Sequence, residues 1–128
     1  MVSVCVTQGI KVSVAVQFLA EQSEPQQNKF VFAYRITISN EGDRPAQLVK
    51  RHWVIKDARN HVEEVRGEGV VGETPYLEEG QSFTYTSYCP LSTDYGVMKG
   101  SFAMERPDGE TFDAQVAPFA LMLPSLLN

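Results

Sequence analysis

Hydrophobic and polar residues alternate with a period of two along most of this chain. Ile10, Val12, Val14, Val16 and Phe18 alternate with Lys11, Ser13 and Gln17, and Phe30, Phe32, Tyr34, Ile36 and Ile38 alternate with Val31, Ala33, Arg35 and Thr37. Successive side chains of a strand point to opposite faces, so this pattern gives each segment one apolar face and predicts half-buried β-strands. The β-branched and aromatic content of both segments agrees. Further strands are predicted in QLVKRHWVIKD (47–57), HVEEVRG (61–67), SFTYTSY (82–88), VMKGSFAMER (97–106) and TFDAQVAPFAL (111–121). Turn-forming clusters separate them: EQSEPQQN, NEGDRP, DARNH, EEGQ and RPDGE. In the last, Pro107 and Asp108 suit a type I turn and Gly109 the left-handed position that follows it. Asn60 is the matching left-handed residue in DARNH.

No segment shows ten or more residues of helical periodicity free of strand signals. About seven or eight short antiparallel strands in a chain of this size predict an all-β fold, a two-layer antiparallel β-sandwich of immunoglobulin- or fibronectin type III-like kind, with a barrel as the alternative. Trp53 is expected in the core, on the same face as Val49 and Ile55. At 128 residues the chain is expected to form a single domain, 1–128.

The segment VRGEGVVGETP (65–75) places Gly67, Gly69 and Gly72 in the spacing G-x-G-x-x-G. A dinucleotide fingerprint needs a strand that feeds a helix whose N-terminal amides meet the pyrophosphate. Here Pro75 follows closely and the next element is a strand, which argues against that use. Two readings of the loop remain. Successive glycine amides with Arg66 beside them can form a concave anion site, which makes Arg66, Gly67, Gly69 and Gly72 a candidate phosphate-binding loop. Glu68 and Glu73 oppose it. The preferred reading is structural: the glycines permit a bulge or a crossover between sheets, with Val70 and Val71 filling the core.

Composition changes the picture mainly by exclusion. A net charge of −5 argues against a general phosphate-backbone binder, so no nucleic-acid partner is expected. The charge is uneven: residues 44–66 hold six Lys/Arg against three acids, whereas residues 67–113 hold nine acids against Lys99 and Arg106. No basic n-region opens the chain and no run approaches the ~20 apolar residues of a membrane span. A cytoplasmic protein without membrane contact is expected. Cys5 and Cys89 are too few for a disulfide framework and are read as small buried hydrophobes.

Several unusual spacings recur in order across the chain: H-W-x-I-x-D from His52, G-x-G-V-V-G-x-x-P-x-L-x-x-G from Gly67, F-x-Y-x-S from Phe83 and P-L-x-T-x-x-G-x-M-x-G from Pro90. In these the chain resembles the ApaG family of small bacterial proteins. Asn60 departs from the pattern, standing where the family commonly has glycine. The resemblance implies a fibronectin type III or immunoglobulin-like sandwich and links the chain to cobalt and magnesium resistance or efflux. The same domain occurs as a terminal module of F-box and polymerase-delta-interacting proteins, which implies a protein-interaction module.

The residues themselves show no catalytic signature: no G-x-S-x-G elbow, no phosphate loop ending in G-K-[ST], no paired Cys and His. His52 and His61 lie at opposite ends of a predicted hairpin, with Asp57, Glu63 and Glu64 nearby and no tetrahedral set. No metal site and no cofactor are therefore expected. Tyr85, Ser87, Thr93, Asp94 and Tyr95 are the polar group most suited to tying a loop to a sheet, including a tyrosine corner. The function expected is non-enzymatic binding of a protein partner; the alternative is small-anion or nucleotide phosphate binding at residues 66–75, conceivably with hydrolysis. Residues 119–127 are apolar beyond what a frayed end needs, and are expected either to close the sandwich or to form a homodimer contact.

Overall fold

A computed structural model describes residues 2–126. Among the described residues nine strands run in chain order: β1 (Val2–Thr7), β2 (Ile10–Phe18), β3 (Phe30–Asn40), β4 (Ala46–Asp57), β5 (Val62–Glu68), β6 (Tyr76–Leu77), β7 (Ser82–Leu91), β8 (Tyr95–Glu105) and β9 (Thr111–Met122). Three short 3₁₀ turns, Ala20–Gln22, Pro25–Gln27 and Pro124–Leu126, accompany them. All pairings are antiparallel, in the sheet orders β1-β2-β3-β7 and β5-β4-β8-β9, with the two-residue β6 beside β4 in line with β5. The molecule is a two-layer sandwich of immunoglobulin-like or fibronectin type III-like kind.

The inner faces meet in one apolar cluster. Ile10, Val12 and Val14 of β2 and Phe32, Ile36 and Ile38 of β3 supply one wall, and Leu48, Met98, Phe102, Met104 and Leu121 supply the other. Trp53, only 3% exposed, stands at the centre with its ring edge-on to Tyr34, Phe102 and Phe119. A buried aromatic in such contacts contributes its transfer energy plus about 0.5–1.5 kcal/mol per favourable ring pair.

Two bulges modify the predicted faces. In β4 the register shifts between Leu48 and Lys50, so Val49 is the extra residue and Leu48, not Val49, shares the core with Trp53. In β9 Met98 faces Phe119 while Gly100 faces Val116, so Ala117 and Pro118 together oppose Lys99. Pro118 thus occupies a bulge on an edge strand, where a missing N–H costs no ladder bond. A third correction concerns Val31 and Ala33, predicted on the outer face of β3 and in fact buried. The connection after β2 packs there: the Leu19 N–H donates to the Val31 carbonyl, and the Val31 N–H donates to Ser23 Oγ.

The predicted left-handed turn residues are in place, Asn60 at φ 65° and Gly109 at φ 92°. At the end of the chain Phe119 and Leu121 are core residues and Leu126 is exposed; Leu127 and Asn128 lie outside the described residues. Strand β1, outside the predicted strands, lies beside β9 without laddering to it. Instead Ser3 Oγ donates to the Ala117 carbonyl at 3.3 Å and the Gln115 N–H donates to Thr7 Oγ1 at 3.1 Å. One side of the sandwich is therefore closed by hydroxyls.

Candidate functional site

The glycine segment leaves β5 at Gly67 and turns back at once. Val70 and Glu73 exchange both backbone hydrogen bonds, at 2.8 and 2.9 Å, leaving a two-residue loop. Its residues, Val71 and Gly72, have φ of 45° and 81°, the pair of positive values that defines a type I′ hairpin. Both β5 and β6 pair with β4, so this connection is a hairpin within one sheet rather than the bulge or crossover expected. Val70 fills the core as predicted, but Val71 is 59% exposed at the tip.

Each glycine has a geometric cause. Gly69 has φ 61°, and a Cβ there would collide with the Glu73 carbonyl oxygen. At Gly67 a Cβ would lie 2.6 Å from the Arg51 guanidinium carbon. Arg51 fills that space, its Nη1 donating to the carbonyls of Glu68 at 3.0 Å and Gly69 at 2.9 Å. The Gly69 N–H donates to the carbonyl of Val49, the bulge residue of β4. Bulge, arginine and glycine hairpin thus form one assembly. Sequence reading missed Arg51, because the groups it binds are main-chain carbonyls.

Of Arg66, Gly67, Gly69 and Gly72, Arg66 and Gly67 line one shallow recess together, which Gly69 and Gly72 do not join. Arg66 points to the outer face of β5, exposed and bound to Glu64 Oε1 through Nε at 3.1 Å and Nη2 at 2.8 Å. The N–H groups of Gly69 and Val70 are already used by the Val49 and Glu73 carbonyls. A concave anion site needs successive unengaged amides, and this loop turns its carbonyls toward a cation instead.

Beyond Arg66 the outer face of β5, β4, β8 and β9 is charged. A shallow recess of about 470 Å³ lies among Lys50, His52, Arg66, Glu68, Ser101 and Asp113. Glu64 Oε1 sits 3.2 Å from His52 Nε2 as well as on Arg66. The Arg66 hydrogen bond, then the neighbouring His52 ring, holds the Glu64 carboxyl below its ordinary range. Among the described residues no three His, Cys, Asp or Glu side chains form a group able to hold a metal ion.

The opposite outer face, on β1, β2, β3 and β7, is different in kind. Strand parity places Val4, Val6, Ser13, Thr37, Thr84 and Tyr88 on it. Lys11 and Arg35 are its charged strand residues, none of its described strand residues is a carboxylate, and Glu41, just beyond β3, reaches Lys11 at 3.9 Å. Val4, Val6 and Tyr88 are each half or more exposed.

The loop after β7 is held by Thr93, whose hydroxyl donates to the Tyr95 carbonyl at 2.7 Å and accepts from the Ala58 N–H at 3.2 Å. Tyr85 makes no corner: its buried hydroxyl has no hydrogen-bond partner among the described residues, and burial pushes its pKa up. Cys5 and Cys89 are both free thiols, half-buried and buried. Burial raises the Cys89 thiol to about 11. No helix among the described residues is long and apolar enough to cross a membrane.

These features define an immunoglobulin-like β-sandwich distinguished by a glycine hairpin clasped by an arginine. The family model of the ApaG domain matches residues 20–106, and the chain belongs to the ApaG family. It is 51% identical over 126 residues to Protein ApaG of Anaeromyxobacter dehalogenans (strain 2CP-C), covering 98% of this chain and 99% of that protein. To Protein ApaG of Pseudomonas syringae pv. tomato it is 53% identical over 119 residues, covering 93% and 94%. A solved structure of an ApaA protein from Bordetella pertussis superposes with a TM-score of 0.88 at 45% identity, covering 90% of this chain and 94% of that one.

Proposed function

We propose that this protein is a non-enzymatic cytoplasmic binding domain that recognises another protein. The observation that supports it is the contrast between the two outer faces. Charged side chains cover the face of β5, β4, β8 and β9, as a solvated surface requires. Valine, hydroxyl and tyrosine side chains make up most of the face of β1, β2, β3 and β7, where Lys11 and Arg35 are the charged strand residues and Glu41 pairs with Lys11 at its margin. Removing water from such a face costs less than from the charged one, because it carries few charges and its hydroxyls can hydrogen-bond to a partner. On this reading any link to cobalt or magnesium handling runs through the partner.

Site-specific photocross-linking in the native host tests the proposal. A benzoylphenylalanine at Val4, Thr37 or Tyr88 is expected to trap one common protein, and the same group at Val54 or Lys99 on the charged face is not. Equal capture from both faces, or none from the first, rejects it.

A further inference from the structure

Four long strands end the two sheets, and three of those edges are managed. Strands β1 and β9 cover each other through Ser3 and Thr7. Strand β5 carries Glu63, Glu64, Arg66 and Glu68, the charged side chains that blunt an edge against pairing. Strand β7, SFTYTSYCPL, is ten residues long, has no charged residue and, among the described residues, pairs only with β3.

Its register fixes which groups it offers. The Asn40 N–H donates to the Gln81 carbonyl at 2.9 Å. That bond sets the phase of the ladder, in which every second pair inside it is hydrogen-bonded: Ile38 with Phe83, Ile36 with Tyr85, Tyr34 with Ser87. The main-chain groups of Ser82, Thr84, Thr86 and Tyr88 then point away from β3. None of these N–H groups has a partner among the described residues. Pro90, the next in this series, lacks an N–H and marks where such pairing stops. The close approach of Thr37 and Thr84 hydroxyls, 3.1 Å, is the signature of a non-hydrogen-bonded pair and agrees with this register.

Both ends of this edge are acidic. Glu73 lines a recess of about 590 Å³ with Ser82 and Phe83, and Glu78 and Glu79 form the preceding turn. At the other end Asp57 and Glu63 line a recess of about 240 Å³ with His61, Pro90 and Leu91, two carboxylates beside one imidazole. Lys11 and Arg35 lie behind the edge, on β2 and β3, and Arg51 is held by the Glu68 and Gly69 carbonyls. A second copy added antiparallel along β7 brings acidic end to acidic end.

We infer that the free edge of β7 is a docking site for an extended segment of another protein carrying basic residues at both ends. The segment adds a strand across Ser82–Tyr88, about 24 Å long, and places its cations near Glu73 and Glu78 at one end and Glu63 at the other. This rests on the protein-binding reading above and names its surface and its partner's chemistry.

A synthetic peptide tests it: about eight alternating threonine and valine residues with two lysines at each end, titrated into ¹⁵N-labelled protein. The amides of Ser82, Thr84, Thr86 and Tyr88 are expected to shift and to exchange more slowly, while those of Phe83, Tyr85 and Ser87, already in the ladder, keep their exchange rates. Glutamates in place of the lysines should weaken binding about tenfold, the sum of several exposed ion pairs. Thr86→Pro, which removes one outward N–H and no ladder bond, and Thr86→Lys, which leaves every backbone group intact, should each abolish the response. Equal affinity for the two peptides, shifts confined to another strand, or concentration-dependent shifts of β7 without peptide overturn the inference. If the edge ignores the peptide while cross-linking from Val4 and Tyr88 still traps a partner, the inference fails alone. When cross-linking also fails, the binding reading falls with it.

Discussion

Val71 holds a φ of 45° at an exposed hairpin tip. A left-handed conformation costs an L-residue about 1–2 kcal/mol, and branching at Cβ makes valine among the worst choices. Asparagine followed by glycine is the preferred pair for this turn type. Val71→Asn is therefore expected to raise the unfolding free energy by about 1 kcal/mol in urea titration. Unchanged stability would show that the valine side chain recovers the strain by packing. Gly69→Ala acts in the opposite direction, by about 2–4 kcal/mol, since positive φ and a collision with the Glu73 carbonyl combine. The loss should be the same with and without phosphate or nucleotide in the buffer.

At the scale of elements, Asn40 joins the end of β3 to the β3–β4 turn and to β6. Its amide donates to the carbonyls of Arg44 at 2.8 Å and Leu77 at 3.0 Å, and its oxygen accepts from the Gly42 N–H. Asn40→Ala leaves those groups without partners at a buried site and is expected to cost about 2–4 kcal/mol by chemical denaturation. Asn40→Asp turns a carboxylate toward two carbonyls, so its pKa in the folded state is raised. That variant should be more stable in acid than at neutral pH, because the protonated carboxyl again donates.

The inner faces of β2 and β3 were legible in the sequence because neither strand is bulged and their alternation runs unbroken. Periodicity is blind to a single extra residue, which is why it placed Val49 where Leu48 packs and offered no account of Val116 and Phe119 together in the core. The glycine spacing was visible, and the lack of a following helix disposed of a dinucleotide site. What clasps the loop was not visible, since Arg51 binds carbonyls that every sequence has. The free edge of β7 was hidden for a different reason: an edge is a property of strand order, not of a strand.

For the molecule as a whole, Arg106 unites three turns. It is 5% exposed, donates from Nη1 to the Arg44 and Pro45 carbonyls and from Nη2 to the Gln8 carbonyl, and its guanidinium stacks 4.7 Å from the Phe112 ring centroid. Lysine keeps the charge but not the planar fork. Arg106→Lys should lower stability by about 2–4 kcal/mol in thermal or urea unfolding, and a loss within error would show that water replaces the fork. The seam between β1 and β9 sets the order in which this molecule comes into being. The hydroxyl of Ser3 waits for a carbonyl 114 positions later. While the ribosome makes the intervening chain, the outer edge of the first strand has no neighbour and is open to any strand nearby. Closure is thus a late event, possible only once the ninth strand is free of the exit tunnel, and a chain released early stays unsealed along its first edge.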